Sequence, residues 1–275
     1  MRCLVVADLH YSLPQFDWLL SAAPQFDLVI FAGDALNIGS SVDFRAQIVV
    51  VKKYLALLSG LTRVILCSGN HDLDERNGEG EKISKWVHEV RDLGIACDGD
   101  SLTIGDTLFT VCPWWDGPQV KARINDQLEQ ASARRLKRWV WVHHAPPANS
   151  PTSWGGKRFF GDVELVQWIE RHRPSMVISG HVHQSPFIPD GSWFDRLGNT
   201  WVFNAGLQPG RPPVYIVLDI DEAKAFWLAA GEEQCIDLNA PLRRPATAII
   251  EPPPWLTSLG RIVDPNLARP ASAAG

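Results

Sequence analysis

Five short apolar runs in this chain each stop on residues that bind metals or move protons. Residues 3–7 are followed by Asp8-Leu9-His10, and residues 28–33 by Asp34. Residues 64–69 lead into Asn70-His71-Asp72, residues 139–142 into His143-His144, and residues 176–180 into His181-Val182-His183. Unbroken apolar runs of this length have the pattern of buried strands. In open α/β sheets, ligands collect beyond the carboxyl ends of the strands. The pattern therefore predicts that Asp, Asn and His residues far apart in sequence meet at one sheet edge.

The segments between these runs carry helical spacing. Apolar periodicity predicts helices over 16–23, 42–58, 83–93 and 163–171, with Asp162 placed to cap the last. Residues 102–111 have the pattern of a hairpin turning at Gly105-Asp106. From Thr200 the pattern is β, over 201–203, 214–218 and 225–228. Helices between early strands and hairpins later predict an α/β fold, a two-sheet mixed β-sandwich flanked by helices. The chain has 275 residues, 45% of them hydrophobic, enough for one such core over 1–240. Beyond Pro241 prolines crowd in, including Pro252-Pro253-Pro254. Proline removes backbone donors and blocks regular elements. The prediction is an extended tail over 241–275, draped on the domain at Ile249-Ile250 and Trp255-Leu256.

Composition removes several function classes. The net charge is -5 and no Lys/Arg block occurs, which argues against a nucleic-acid partner. No apolar stretch is long enough to cross a bilayer, so a membrane partner is not expected. The five cysteines are scattered, with no Cys-x-x-Cys pair, and fit small buried hydrophobes in a reducing compartment. With no signal peptide at the N-terminus, the expected location is cytoplasmic. A mild acidic excess is compatible with phosphate substrates, because metal ions can supply the local positive charge.

The ligand set itself is informative. Asp, Asn and His without thiolates suit Mn, Fe or Zn in a reactive site rather than a structural zinc knot. There are too many candidates for one tetrahedral ion. Asp34 stands alone after a glycine, where a single carboxylate can bridge two ions. The expected cofactor is therefore two divalent metal ions, about 3.5–4 Å apart, able to clamp both oxygens of a displacement at phosphorus.

Asp8-Leu9-His10, Gly33-Asp34, Gly69-Asn70-His71-Asp72, His144-Ala145-Pro146-Pro147 and Gly180-His181-Val182-His183 resemble, in order, the five motifs of the calcineurin-like metallophosphoesterases. That resemblance implies a β-sandwich flanked by helices. It implies Asp8, His10, Asp34 and His183 around a first metal, and Asp34, Asn70, His144 and His181 around a second. It implies in-line attack by a hydroxide held between them. His71 matches the catalytic histidine, which steadies phosphoryl oxygens or protonates the leaving oxygen, and Asp72 is expected to orient its ring. Neighbours on a strand face opposite ways, so only one of His143 and His144 is expected to bind metal. The resemblance favours His144, two residues before a proline.

The activity this implies is metal-dependent hydrolysis of a small phosphate-ester substrate, a phosphomonoester or phosphodiester. Other roles known for the fold are a protein-binding scaffold, a nuclease and a protein phosphatase. Retention of every ligand and of His71 speaks against the scaffold, and the missing basic stripe against the nuclease. Trp114 and Trp115 either pack in the core or form a rim that stacks an organic group of the substrate. Lys157 and Arg158 either contact a second phosphate or are solvated. Asn204-Ala205-Gly206 is expected to orient the ligands from behind. His88 and His172 are expected to be solvated helix residues.

Overall fold

The apolar runs become neighbouring strands in two stacked sheets. The computed structural model describes residues 1–134 and 136–259. Arg2–Val6, Leu28–Ala32 and Arg63–Cys67 run parallel, side by side, in one sheet. Ala96–Cys97 extends that sheet on one side. On the other side it continues antiparallel through Tyr215–Asp219, Lys224–Ala229, Glu232–Asp237 and Thr247–Ala248. The second sheet contains Phe194–Leu197, Thr200–Asn204, Met176–Ser179, Arg138–Val142, Thr107–Val111 and Ser101–Ile104, in that order. Its four central strands are parallel.

Side-chain alternation sorts the core into layers. Cys3 and Val5, Leu28 and Ile30, and Ile65 and Cys67 face the space between the sheets, where they meet Phe109, Val140, Val142, Ile178 and Phe203. Their neighbours Leu4, Val6, Val29 and Phe31 face outward onto Phe16, Leu19, Val51 and Leu55. Those residues come from the helices Leu13–Ala22 and Phe44–Ser59. On the far side, Trp141, Val177 and Val202 pack against Val120, Ile124, Leu128, Leu165 and Ile169. The helices there are Pro118–Ser132 and Val163–His172. The result is the expected two-sheet mixed sandwich with helices outside. Each fully buried side chain, such as Ile30 or Phe31, contributes about 1.5–3 kcal/mol.

Several local expectations change. The helix expected over 83–93 is shorter. Ile83 pairs in a small hairpin, Glu75–Arg76 with Lys82–Ile83, and the helix runs Lys85–Glu89 before tightening to a 3-10 turn over Val90–Leu93. Its start is fixed because Ser84 Oγ and Trp86 Nε1 both donate to the Asp72 carbonyl. The helix Pro118–Ser132 is absent from the elements that periodicity predicts. His88 is exposed as expected. His172 is not solvated: its side chain is 4% exposed and its ring lies edge-on to Trp139 and Trp141. Asp162 does cap Val163–His172, through the amides of Glu164 and Leu165.

Near the C-terminus, Thr247–Ala248 pairs with the edge strand and Pro254–Leu259 forms a short helix that buries Leu256. Trp255 meets Phe226 edge-on and lies under Arg2, whereas Ile250 is exposed. The rest of the expected tail, 260–275, lies outside the described residues. All five cysteines are free, four of them buried. No helix among the described residues is long and apolar enough to cross a membrane.

Candidate metal centre

Strand pairing carries on past the ends of the sheet and delivers the acidic residues together. Beyond Val6 the Asp8 amide still donates to the Gly33 carbonyl at 3.0 Å, and the His10 amide to the Asp34 carbonyl at 3.1 Å. This zips the two loops side by side. Asp8, His10, Asp34 and His181 all have positive φ, at 55°, 43°, 56° and 70°. L-residues with a Cβ adopt this region at a cost of about 1–3 kcal/mol each, and such strain clusters where function over-determines the backbone.

Asp8 and Asp34 are both buried. Asp8 Oδ1 lies 3.3 Å from His183 Nε2 and 3.8 Å from both His10 Nε2 and His144 Nε2. Its two oxygens also accept the His181 amide. Asp34 Oδ2 lies 3.2 Å from His144 Nε2 and 3.9 Å from His10 Nε2. Its Oδ1 accepts the His71 amide at 2.8 Å. The Nε2 atoms of His10 and His183 approach to 3.0 Å, and Asn70 Oδ1 sits 2.9 Å from His181 Nδ1. Ligand-type atoms converge in three overlapping groups: Asp8, His10 and His183; Asp8, Asp34 and His144; His10, Asp34 and His71. The His144 and His181 rings, 5.3 Å apart, join the Asn70–His181 pair to this cluster.

Two glycines of the motifs make room for the carboxylates. A Cβ on Gly69 would lie 2.1 Å from Asp34 Oδ1, and one on Gly180 would lie 2.5 Å from Asp8 Oδ2. Both separations are far inside contact distance, so neither loop accepts a side chain without moving a ligand.

His144 supplies the test of whether a cation fits. Its Nδ1 donates to the Ala32 carbonyl at 2.7 Å, which turns Nε2 toward the carboxylates. That Nε2 is buried between two carboxylate oxygens and has no hydrogen-bond partner among the described residues. A hard-to-borderline divalent cation matches this donor set of carboxylates, imidazoles and one amide oxygen. In the ion-free protein, burial would lower the His144 pKa, but the charges of Asp34 and Asp8 outweigh it and push it up to about 10. Burial would raise Asp34, yet His144 and the His71 amide hold its carboxyl well below the usual range. Burial and neighbouring His144 push His181 down to about 4. Burial lowers His10, and Asp8 raises His183 against the effect of burial.

His71 stands beside this cluster, its ring edge-on to His10 with centroids 4.5 Å apart. The Ile38 amide donates to His71 Nδ1 at 3.4 Å, so the ring proton belongs on Nε2. The expectation that Asp72 orients this ring is corrected. The Asp72 carboxylate instead accepts from the amides of Asp34 and Gly69 at 2.8 Å and Leu36 at 3.0 Å. Burial and the neighbouring Asp34 charge push its pKa up to about 8 despite those amides. Asp72 thus ties the loop carrying Asp34 to the loop carrying Asn70 and His71.

Of the two adjacent histidines, His144 faces the carboxylates and His143 faces away. His143 Nε2 lies 3.3 Å from Asp162 Oδ2, which also accepts Trp115 Nε1 at 2.7 Å. These residues line a cavity of about 420 Å³ together with Trp114, Phe160 and His181. Sequence reasoning finds Asp162 only as a helix cap. Asn204 Nδ2 donates to the carbonyls of Thr152 and Val182 and to Ser185 Oγ, bracing the loop that carries His181 and His183. Lys157 and Arg158 are exposed, with the Arg158 guanidinium 4.6 Å over the Phe160 ring.

Comparison with known proteins agrees with this arrangement. A family model described as calcineurin-like phosphoesterase matches residues 1–185. The Caenorhabditis elegans UPF0046 protein K07C11.7 is 24% identical over 221 residues, covering 74% of this chain and 69% of that protein. In fold, the chain is similar to a dimetal phosphatase from Danio rerio, with TM-score 0.57, 10% identity, and coverage of 86% of this chain and 99% of that one. It is likewise similar to the TT1561 protein of Thermus thermophilus, with TM-score 0.54, 12% identity, and coverage of 86% and 98%. With the matched span taking in every motif from Asp8 to His183, the chain belongs to the calcineurin-like phosphoesterase family.

Proposed function

We propose that this protein is a phosphohydrolase that works with two divalent cations, of the Mn, Fe or Zn type, on a small phosphomonoester or phosphodiester. Asp8, His10, Asp34 and His183 would hold one ion, and Asp34, Asn70, His144 and His181 the other. The observation that carries this reading is the buried His144 Nε2, without a hydrogen-bond partner among the described residues, set between Asp34 and Asp8. When bound, the cations supply Lewis acidity and an acidified water at neutral pH.

The chain's own residues do the rest. Asp34 is fixed by the His71 amide, and His144 by the Ala32 carbonyl, so neither must reorganise during the reaction. His71, with its proton on Nε2, donates to a phosphoryl oxygen or to the departing ester oxygen. Asp72 and Asn204 hold the ligand-bearing loops in register. The unpaired cysteines suit a reducing, cytoplasmic setting.

The test is elemental analysis and a substrate panel on one preparation. The expected result is close to two divalent ions per chain and turnover of generic aryl phosphate mono- or diesters. A fully metallated protein that turns over nothing in the panel overturns the reading.

A further inference from the structure

The cavity beside His181 opens directly off the ligand cluster, and apart from His181 its lining takes no part in that cluster. The Trp114 ring centroid lies 5.2 Å from that of His181 and 5.8 Å from that of His144. A phosphoryl group held at the ligand cluster therefore has its ester group at the mouth of this cavity. Its volume of about 420 Å³ is in the range of small-molecule sites.

Its walls are aromatic and locked. Trp115 is fixed by its Nε1 hydrogen bond to Asp162 and by Lys121, whose ammonium lies 5.5 Å over the ring. Phe160 packs on Gly155, where a Cβ would come within 2.3 Å of Phe160 Cε2, and it is covered by Arg158. Rigid rings present flat apolar surface at low entropic cost.

The carboxylates Asp162 and Glu164 give its lining an acidic side. His143 is fully buried, and its Nε2 is turned to the Asp162 carboxylate, so the proton sits there. Its Nδ1 is sealed from solvent and has no hydrogen-bond partner among the described residues. No Lys or Arg among the described residues lines the cavity. Lys121 is paired with Glu164 at 3.0 Å. This lining repels a second phosphate.

We propose that this cavity seats the organic part of the substrate, and that this part is a flat aromatic or heteroaromatic group carrying no second phosphate. The inference rests on the phosphohydrolase reading and names the substrate class for that same site.

Non-hydrolysable phosphonates on the manganese-loaded protein test it, with binding read by calorimetry. Indol-3-ylmethylphosphonate is expected to bind at least about ten-fold tighter than methylphosphonate. A second phosphonate placed on the indole ring is expected to remove most of that gain, because the lining carries carboxylates and no Lys or Arg among the described residues. Trp115→Leu and, as a milder surface change, Phe160→Leu are expected to close most of the gap while bound manganese is retained. Equal binding of methyl and indolyl compounds overturns the cavity assignment and leaves the phosphohydrolase reading intact. Binding of none of the phosphonates by the metallated protein overturns both.

Discussion

The Nε2 of His144 stands 3.2 Å from Oδ2 of Asp34, both groups sealed from solvent, with the other ring nitrogen already spent on the Ala32 carbonyl. In the ion-free chain this is a buried ion pair. Under the proposed function the same two atoms would become ligands. A proton on His144 and a cation beside it therefore compete.

That competition sets a pH dependence. The His144 pKa rises from 6.5 to about 10 in the ion-free fold. A raised histidine pKa contributes stability that is fully present below the unfolded value and is lost as pH rises through the folded one. Asp34 is depressed, so its share is present above the ordinary carboxylate pKa and lost as pH falls below it. Chelator-treated protein should lose thermal stability as pH is raised from 7 to 10. Metal affinity should rise over the same interval, with proton release measurable by calorimetry in buffers of different ionisation enthalpy.

His71→Ala should lower kcat by about 10²–10⁴-fold, since it removes a positioned proton donor. The loss should be greater for alkyl esters, whose leaving oxygen needs the proton, than for nitrophenyl esters. Bound metal should be unchanged. Steady-state rates across a leaving-group series check this.

Gly69→Ala forces a Cβ to 2.1 Å from Asp34 Oδ1. The loop or the carboxylate must shift, and overpacking of this kind costs about 1–3 kcal/mol. The expected result is a lower unfolding midpoint together with weaker metal binding, read by denaturant titration and elemental analysis.

Asp72→Asn keeps the size of the side chain but replaces one acceptor oxygen by a donor. At least one of the amides of Asp34, Gly69 and Leu36 then loses its acceptor in a buried place. A loss of about 1–3 kcal/mol is expected. Denaturant unfolding measures it, and the spacing of the two loops predicts that metal binding weakens with it.

The centre is legible because its signal is local: an apolar strand, then a ligand, five times over. The parallel register needs only to be assumed for Asp8, Asp34 and the histidines to meet. The role of Asp72 is hidden because its partners are amides on another loop, reached only after folding. His143 and Asp162 escape for the same reason, since a cavity is a tertiary object. The helix Pro118–Ser132 hides behind its polarity: Val120, Ile124, Leu128 and Ala131 form a narrow buried stripe among charged and amide residues. His172 looks solvated from its charged neighbours, yet it turns from the end of its helix toward tryptophans of the strand Arg138–Val142.

The left-handed backbone at Asp8, His10, Asp34 and His181 has a corollary. Glycine is the residue such torsions prefer, and each of these positions instead carries a side chain that the chemistry demands. A glycine at any of them would relax the chain while silencing it. Relief of backbone strain and retention of the ligand set therefore pull in opposite directions at these four positions.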